Sequence, residues 1–175
     1  MCADFSDYKY LRTNTKYSSL ELDNMSIFAW AKGGSQYQRT VFSFEYFSGT
    51  YLYGYRMGIT GYKIFFVESD GDEPSSPAHV GTSTKLSDGG WHWLVATRGD
   101  DLVKLYVDGN LEYQGNRQPI YYYSTVIACI GAYWNYRDSN TIDYFNAKID
   151  DLNILDIELS PDVIRRMYAF QMGWL

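Results

Sequence analysis

The clearest hydrophobic pattern in the chain lies between residues 91 and 109. Trp91 to Arg98 is a run of aromatic and β-branched residues, a glycine and two aspartates interrupt it at 99–101, and Leu102 to Val107 resumes it. Asp108-Gly109 is a second turn signal, because glycine accepts the positive φ angles that tight turns require. The pattern predicts two adjacent hairpins in an antiparallel sheet with a hidden face.

Short apolar runs separated by turn residues continue on both sides of these hairpins. Ser26 to Lys32 carries apolar residues on both faces, which is typical of a strand covered on both sides. The glycines at 49, 54, 58 and 61 predict brief strands and hairpin turns between residues 47 and 61. Glu68 to Pro77 contains acids, glycine, serines and two prolines, and it predicts a surface loop. Further strands are predicted at residues 17–22, 40–46, 62–67, 80–86, 121–131 and 144–157, with a loop at 133–140.

One amphipathic helix is predicted near the C-terminus. Ser160 is placed to cap it, and Pro161 takes the first helical position, where its missing N–H is no loss. Its apolar face consists of Val163, Ile164, Met167 and Tyr168. Many short strands and one terminal helix indicate an all-β fold, a sandwich of two antiparallel sheets. The chain is divided into a lead-in at 1–15, a domain at 16–168 and an apolar tail at 169–175.

Composition and charge narrow the classes of function. The net charge is −6 and no basic run occurs, which argues against nucleic-acid binding. The N-terminus lacks the apolar core of a signal peptide, and no window approaches the ~20 apolar residues of a membrane span. We therefore expect synthesis in the cytosol and no membrane span. Aromatic residues make up 18% of the chain, and most are tyrosines, which suit half-buried binding faces.

The two cysteines, Cys2 and Cys129, are too few for a disulfide framework, and no second thiol or histidine is near enough to complete a zinc site. A bond between them would require the first strand to lie beside the strand at 125–132. In a reducing compartment, a free and buried thiol at Cys129 is the simpler expectation.

Four segments resemble, in order, the motifs of laminin-G-like and concanavalin A-like domains. They are SSLELDNMSIFAWAK, GGWHWLVATRGDDLVKLYVDGNLEYQG, IGAYWN and FNAKIDDLNILDIELSPDVIRRMY, within about residues 16 to 168. Ala147 departs from the pattern, because these domains usually carry glycine there. The resemblance implies a two-sheet antiparallel jelly roll. It also implies a module that binds sugars or proteins on enzymes, adhesins or virus particles, with glycoside hydrolases as a minority.

Catalysis has one candidate in the sequence. Hydrolases on this scaffold share an E-x-D-x-x-E strand whose outer carboxylates act as nucleophile and acid, and Glu68, Asp70 and Glu73 match that spacing. Small polar residues between them and a following proline instead favour a solvated loop, because catalytic groups need rigid support. His92 is interpreted as a strand-face histidine without an acid at triad distance, and His79 as an exposed loop residue. No serine has a nucleophile-elbow context.

Calcium is the one metal that the acidic residues could hold. Hard cations bind several oxygen ligands, which are available at Asp70 and Asp72 or at the pair Asp150 and Asp151. The alternative is that the loop acids are solvated and that Asp150 or Asp151 caps backbone groups between the terminal strands. The alternative is preferred, because loop acids are commonly only solvated.

Sugar binding is predicted at aromatic and polar residues in the loops. Rings, an amide, a guanidinium and a carboxylate occur within six residues at Tyr133, Trp134, Asn135, Tyr136, Arg137 and Asp138. These groups stack on a pyranose face and bond its hydroxyls. The surface is extended by Tyr53, Tyr55 and Arg56, since residues 53 and 55 share one strand face. The alternative for residues 133–138 is packing at the rim of the sandwich.

The C-terminal tail suggests a docking function. Exposed apolar side chains are predicted at Phe170, Met172, Trp174 and Leu175, and such patches generally contact a partner. The leading prediction is a non-enzymatic module that recognises a glycan or cell-surface polysaccharide, oligomeric or part of a larger surface assembly such as a virus or phage particle. One alternative is a structural virion protein, a capsid decoration or tail component, and another is a glucanase-like enzyme. The expected location is the virion surface, or alternatively the cytoplasm.

Overall fold

The computed structural model describes the chain with gaps, and the statements below concern the described residues. These are residues 3–4, 9–13, 18–33, 37–47, 52–71, 78–83, 85–99, 101–123, 126–135, 140–142 and 144–174. The strands, numbered in chain order, are Ala3–Asp4 (β1), Leu11–Arg12 (β2), Met25–Lys32 (β3), Arg39–Phe47 (β4), Leu52–Thr60 (β5), Lys63–Asp70 (β6), Ala78–Val80 (β7), Trp91–Arg98 (β8), Leu102–Val107 (β9), Asn110–Asn116 (β10), Ile127–Ile130 (β11), Tyr133–Asn135 (β12), Asn140–Ile142 (β13) and Lys148–Leu155 (β14). Two 3-10 turns, Ser18–Leu20 and Lys85–Ser87, and one α-helix, Pro161–Gln171 (α1), complete the described elements.

The strands form two sheets that face each other. The six-stranded sheet has the order β1-β14-β3-β8-β9-β10, and the eight-stranded sheet contains the path β13-β12-β4-β5-β6-β7, with β11 joining β4 to β2. Pairing is antiparallel except between β12 and β4, which run parallel where Asn135 lies opposite Phe47. This architecture confirms the predicted all-β jelly-roll sandwich.

The two predicted hairpins lie at one side of the six-stranded sheet. Strands β8 and β9 have the predicted bounds, and Asp108 (φ 53°) and Gly109 (φ 74°) form the turn into β10. Strand β10 completes the second hairpin and extends to Asn116. Local alternation and turn residues therefore suffice to define this part of the fold.

The main core lies between the sheets. It is built from alternate residues of the facing strands, among them Ile27, Ala29, Leu94, Ala96 and Leu105 from one sheet and Phe44, Tyr55, Met57, Ile64 and Phe66 from the other. Their neighbours along the strands point the opposite way, since successive side chains of a strand alternate between faces. Both sheets thus have a second face to cover.

Helix α1 covers the outer face of the six-stranded sheet. Phe28, Trp93, Val95 and Tyr106 from the sheet pack there against Leu159, Ile164, Met167 and Tyr168. Ser160 caps the helix as predicted, because its side chain accepts a hydrogen bond from the Val163 N–H. Val163 was expected on the apolar face but is 41% exposed. Among the described residues, no helix combines the length and apolar character needed to cross a bilayer.

The largest difference from the sequence-based prediction concerns residues 52–60, which form one nine-residue strand rather than brief strands and turns. Gly54 and Gly58 lie inside β5, where a Cβ at either position would overlap a backbone carbonyl oxygen of β4. These glycines allow two strands to approach closely. A glycine in a strand has this function as readily as a turn function.

Other boundaries also differ from the pattern. The expected loop 68–77 begins only after Asp70, and the expected loop 133–140 contains strands β12 and β13 at its ends. The strands expected at 17–22 and 80–86 contain 3-10 turns at 18–20 and 85–87, and the strand expected at 121–131 is limited to 127–130. Short elements such as these depend on pairing partners that local propensity does not reveal.

Strand β14 contains a bulge at Asp151. The pairing register with β3 shifts between Asp150 and Asn153, and Asp151 has a positive φ of 47°. The extra residue lets Ile149 and Leu152 both reach the main core, although strict alternation predicts opposite faces.

Candidate functional site

Three tyrosines from distant parts of the chain meet at one end of the sandwich and form what we call the tyrosine cluster: Tyr46, Tyr53 and Tyr123. The Tyr123 ring stacks on Tyr46 with 4.7 Å between centroids and lies 5.4 Å from Tyr53. Tyr46 and Tyr53 are directly paired across β4 and β5, with 6.1 Å between their rings. Tyr123 is 47% exposed and the other two are half-buried. The cluster therefore presents ring surface to solvent on a rigid sheet.

The segment predicted to bind sugar begins beside this cluster. Strand β12 pairs with the last residue of β4, one position beyond Tyr46. The backbone places Tyr133, Trp134 and Asn135 in this strand and not in a loop, while their side chains lie outside the described part of the structure. Tyr136, Arg137 and Asp138 also lie outside the described residues. Tyr53 is the predicted sugar-binding residue that the structure brings to the same end of the sheet.

Two other predicted sugar-binding residues do not reach the surface. Tyr55 is fully buried in the main core and its hydroxyl donates to the Leu20 carbonyl at 2.9 Å. Burial raises the pKa of Tyr55 well above its ordinary value. Arg56 is buried on the other face of the sheet, 3.5 Å from the Glu45 carboxylate. The predicted ligand contacts of Tyr55 and Arg56 are therefore wrong, because the core and the outer face of the sheet take these side chains.

The candidate catalytic acid Glu68 is buried in a network that joins the two sheets. It is fully buried on β6, and its carboxylate accepts a hydrogen bond of 2.6 Å from Arg98 Nε at the end of β8. It also accepts from the Gln118 N–H and lies 3.0 Å from His79 Nε2. The predictions of a solvated Glu68 and an exposed His79 are wrong, since both belong to this interior network.

The Arg98 side chain completes the network between the two sheets. Its guanidinium donates to the backbone carbonyls of Asp23 and Gln118 and to the Asp23 carboxylate. His79 Nδ1 lies 3.1 Å from the Tyr113 hydroxyl on β10. The described contacts of the Glu68 carboxylate are with Arg98, Gln118 and His79, and they connect the two sheets. The Glu68 carboxylate has no exposed surface in this arrangement.

The acidic residues considered for calcium have other contacts or lie outside the described region. Asp150 accepts a hydrogen bond from the Asp151 N–H at 3.0 Å, within the bulge of β14. This contact agrees with the alternative in which the pair caps backbone groups. The Asp70 side chain and Asp72 lie outside the described residues. Within the described part, no three His, Cys, Asp or Glu side chains are grouped closely enough to hold a metal ion.

Comparison with known proteins identifies the family. A family model described as the concanavalin A-like lectin/glucanases superfamily matches residues 5–165. The chain belongs to this superfamily. No curated protein sequence matches it.

Solved structures of this concanavalin A-like fold include binding domains. The CBM40 domain of the Ruminococcus gnavus IT-sialidase, solved bound to α2,3-sialyllactose, has 14% identity and a TM-score of 0.71, over 86% of this chain and 85% of that one. The binding domain of botulinum neurotoxin serotype D has 20% identity and a TM-score of 0.65, over 95% of this chain and 41% of that one. The chain thus spans less than half of the toxin domain. At these identities the similarity establishes the fold alone.

His92 of the concanavalin A-like domain lies between two carboxylates. Its Nδ1 is 2.8 Å from Asp108 in the β9–β10 turn, and its Nε2 is 2.9 Å from Asp88. Asp108 also accepts a hydrogen bond from the Trp93 N–H at 3.0 Å. Desolvation lowers the pKa of His92, but the hydrogen bonds to Asp88 and Asp108 outweigh it and raise the pKa. His92 lies in strand β8, as the sequence predicts, and the turn brings Asp108 beside it, a contact that spacing along the chain does not indicate.

We expect His92 to make the stability of the domain depend on pH. A raised pKa means that the folded state binds the proton more tightly, so the contribution is complete below the ordinary value of 6.5 and is lost as pH rises through the folded-state pKa. Between about pH 6 and about pH 8.5 the parent should lose more free energy of unfolding than His92→Gln. Urea unfolding at both pH values measures the difference, and equal losses would contradict the expectation.

Cys129 and the C-terminal tail complete the predicted features. Cys129 is a free, buried thiol as expected, and burial raises its pKa to about 12. Phe170, Met172 and Trp174 are 72%, 43% and 67% exposed. Leu175 lies outside the described residues.

Proposed function

We propose that this concanavalin A-like domain is a non-enzymatic module that binds a carbohydrate through the tyrosine cluster and the adjoining segment 133–138. The observation that carries the proposal is the meeting of Tyr46, Tyr53 and Tyr123 beside strand β12. Tyrosine offers an apolar ring for the C–H face of a sugar and a hydroxyl for hydrogen bonding. The polar side chains that sugar hydroxyls require are present in the sequence at Asn135, Arg137 and Asp138.

The similarity to carbohydrate-binding structures supports this proposal. The CBM40 domain was solved with sialyllactose, and a serotype D toxin binding domain was solved with N-acetylneuraminic acid. The CBM40 match extends over most of that domain, so a module of this size is sufficient for glycan recognition on this fold. We extend the same class of ligand, a glycan, to this chain.

The burial of Glu68 supports a non-catalytic function. A glycosidase of this type needs two carboxylates that reach the sugar from a rigid strand. Glu68 is 0% exposed and both of its oxygens are engaged by protein groups, while Glu73 lies outside the described residues. The burial of Glu68 therefore fits a domain that binds its ligand without hydrolysis better than it fits the glucanase alternative.

The tyrosine cluster is tested by Tyr123→Ala. Removing the ring should weaken binding of a glycan found on an array by roughly tenfold or more, because an exposed aromatic contact residue carries a large part of the binding energy. Tyr53→Ala should have a similar effect. Isothermal titration calorimetry with the strongest glycan on the array measures both dissociation constants.

The matched control is Tyr121→Ala, since Tyr121 is 61% exposed and close in sequence, yet outside the cluster. Its affinity should remain within about twofold of the parent. If Tyr121→Ala and Tyr123→Ala weaken binding equally, the cluster is not the contact surface. If the parent binds no glycan on the array, the proposed function itself fails.

We also propose that the module works within a larger surface assembly, such as a virus or phage particle. The supporting observation is the exposure of Phe170 and Met172 at the end of helix α1, since exposed apolar side chains in one region generally mark a protein contact. The same observation favours the alternative of a purely structural virion component. Oligomeric state and co-purification with particles distinguish an assembly protein from an isolated monomer.

A further inference from the structure

A concave surface lies on the opposite side of the six-stranded sheet from the main core. We call it the C-terminal groove. It has a volume of about 430 Å³ and is lined by the 3-10 turn at 85–87, the β9–β10 turn, helix α1 and the residue Trp174 beyond it, at Lys85, Asp108, Gly109, Asn110, Arg165, Tyr168, Ala169 and Trp174. A few hundred cubic ångströms is the size of a small-molecule site.

The aromatic wall of the groove is held in place by the end of the helix. Gly173 has a φ of 71°, its N–H donates to the Phe170 carbonyl, and the Trp174 N–H donates to the Ala169 carbonyl. These two bonds are a Schellman motif, which reverses the chain direction. Trp174 is thereby placed against Tyr168 edge to face, with 5.7 Å between centroids, while 67% of it stays exposed.

Tyr168 connects this wall to the interior. Its ring stacks on the buried Trp93 at 6.2 Å, and Gly109 in the facing turn leaves room for it, because a Cβ there would lie 3.3 Å from the Tyr168 side chain. The Tyr168 ring therefore has fixed neighbours on the sheet side. Trp174 adds an indole face at the mouth of the groove that is open to a ligand.

The charges around the groove favour an anion. Arg165 pairs with Asp162 at 2.8 Å, and because both side chains are exposed this surface pair contributes little energy. Lys85 is also an exposed cation and lies 3.6 Å from Glu112, whose side chain is 7% exposed and accepts a hydrogen bond from the Ser83 N–H. Asp108, the lining carboxylate among the described residues, already accepts a hydrogen bond from the Trp93 N–H and holds His92. Arg165 can therefore turn to a ligand at low cost, and Glu112 keeps its hydrogen bond from the Ser83 N–H when Lys85 turns to one. The Asp108 carboxylate, in contrast, is held by the protein.

We propose that the C-terminal groove is a second glycan site, and that it binds a saccharide bearing a carboxylate. Trp174 stacks on the sugar ring, Lys85 and Arg165 pair with the carboxylate, and the Asn110 side chain bonds a hydroxyl. This inference rests on the proposed function in that the ligand is a saccharide. The site and the acidic class of ligand are separate from the tyrosine cluster.

The experiment compares two pairs of probes on the full chain. Titration calorimetry and the Trp174 indole N–H resonance follow the binding of 3′-sialyllactose against lactose, and of a hyaluronan tetrasaccharide against chitotetraose. The parent should prefer the acidic member of at least one pair by roughly tenfold or more, and the preference should decrease as salt is raised. Trp174→Ala should weaken binding of that acidic probe by roughly tenfold or more. Arg165→Gln should reduce the preference for the acidic probe by several-fold.

Matched controls lie on the same helix. Phe170→Ala removes an equally exposed aromatic ring and Arg166→Gln an exposed cation, and neither residue lines the groove. Both controls should bind like the parent. Equal effects of Arg165→Gln and Arg166→Gln, or no preference of the parent for either acidic probe, would overturn the proposal.

The two proposals fail in different ways. If neutral glycans bind and Tyr123→Ala abolishes that binding while Trp174→Ala changes nothing for any probe, the proposed function stands and the C-terminal groove is overturned. If an acidic probe binds through Trp174 and Tyr123→Ala has no effect on any glycan, the groove is supported and the tyrosine cluster is overturned.

Discussion

Replacing Glu68 with glutamine should lower the free energy of unfolding by about 3–5 kcal/mol, the cost typical of removing one partner from a buried ion pair. The glutamine is nearly the same size, so packing changes little. The guanidinium of Arg98, which is 1% exposed, would lose its 2.6 Å contact with a charged acceptor and remain in the interior. Urea unfolding monitored by tryptophan fluorescence measures the change.

The matched control uses the other carboxylate that contacts the same guanidinium. Asp23 lies 3.0 Å from Arg98, but its side chain is 76% exposed. Because surface pairs contribute about 1 kcal/mol or less, Asp23→Asn should lower the free energy of unfolding far less than Glu68→Gln. The contrast tests burial directly, since the cation is common to both pairs.

A double-mutant cycle separates the pair from the individual side chains. Arg98→Met alone leaves the buried Glu68 carboxylate without its cation. It should lower the free energy of unfolding as much as Glu68→Gln does. The combination of the two changes should cost clearly less than the sum of the single changes, because neither charge is then left alone. Additive losses, or a loss below about 1 kcal/mol for Glu68→Gln, would contradict the assignment of Glu68 to the interior network.

The sequence predicts those parts of the fold that depend on local pattern. Trp91 to Val107 has both strand alternation and turn residues within a few positions, so its two strands are predicted with the bounds that the structure has. Ser160 and Pro161 likewise define the start of helix α1. These features need no knowledge of distant partners.

Glu68 shows why the rest of the fold could not be predicted. Its neighbours in sequence are polar and suggest a loop, but its environment is set by Arg98 from the other sheet and by His79 from the next strand. A buried charge is tolerated only where such partners meet it. The sequence does contain one signal of this contact. Arg98 directly follows the mostly apolar strand from Trp91 to Thr97, and an arginine at such a position indicates an acidic partner elsewhere in the chain.

The candidate site has the same limitation. The pairing of β4 with β5 brings Tyr46 beside Tyr53, and the segment that follows β10 adds Tyr123. Spacing along the chain suggests only that Tyr46 and Tyr53 could be close. Tyr53 and Tyr55 share a strand face, as alternation predicts. Their different exposure arises because that face continues from the end of the sandwich into the core.

Gly54→Ala is the substitution in strand β5 with the largest expected effect. Gly54 has a φ of 107°, and a Cβ would overlap the Phe44 carbonyl oxygen and come within 3.1 Å of the Glu45 Cα. Left-handed backbone geometry costs about 1–2 kcal/mol and overpacking about 1–3 kcal/mol, so we expect a combined loss of about 2–5 kcal/mol in the free energy of unfolding. Urea unfolding measures it.

Gly61→Ala is the control that separates the two causes. Gly61 also has a positive φ, 55°, yet no atom of the described residues, its two chain neighbours apart, lies within 4 Å of the position that a Cβ would take. Gly61→Ala should therefore lower the free energy of unfolding only by the cost of the backbone geometry, about 1–2 kcal/mol. Equal losses for the two variants would mean that strand contact is not the reason for glycine at 54. Because Gly54 adjoins Tyr53, Gly54→Ala should also weaken glycan binding at the tyrosine cluster, whereas Gly61→Ala should leave it unchanged.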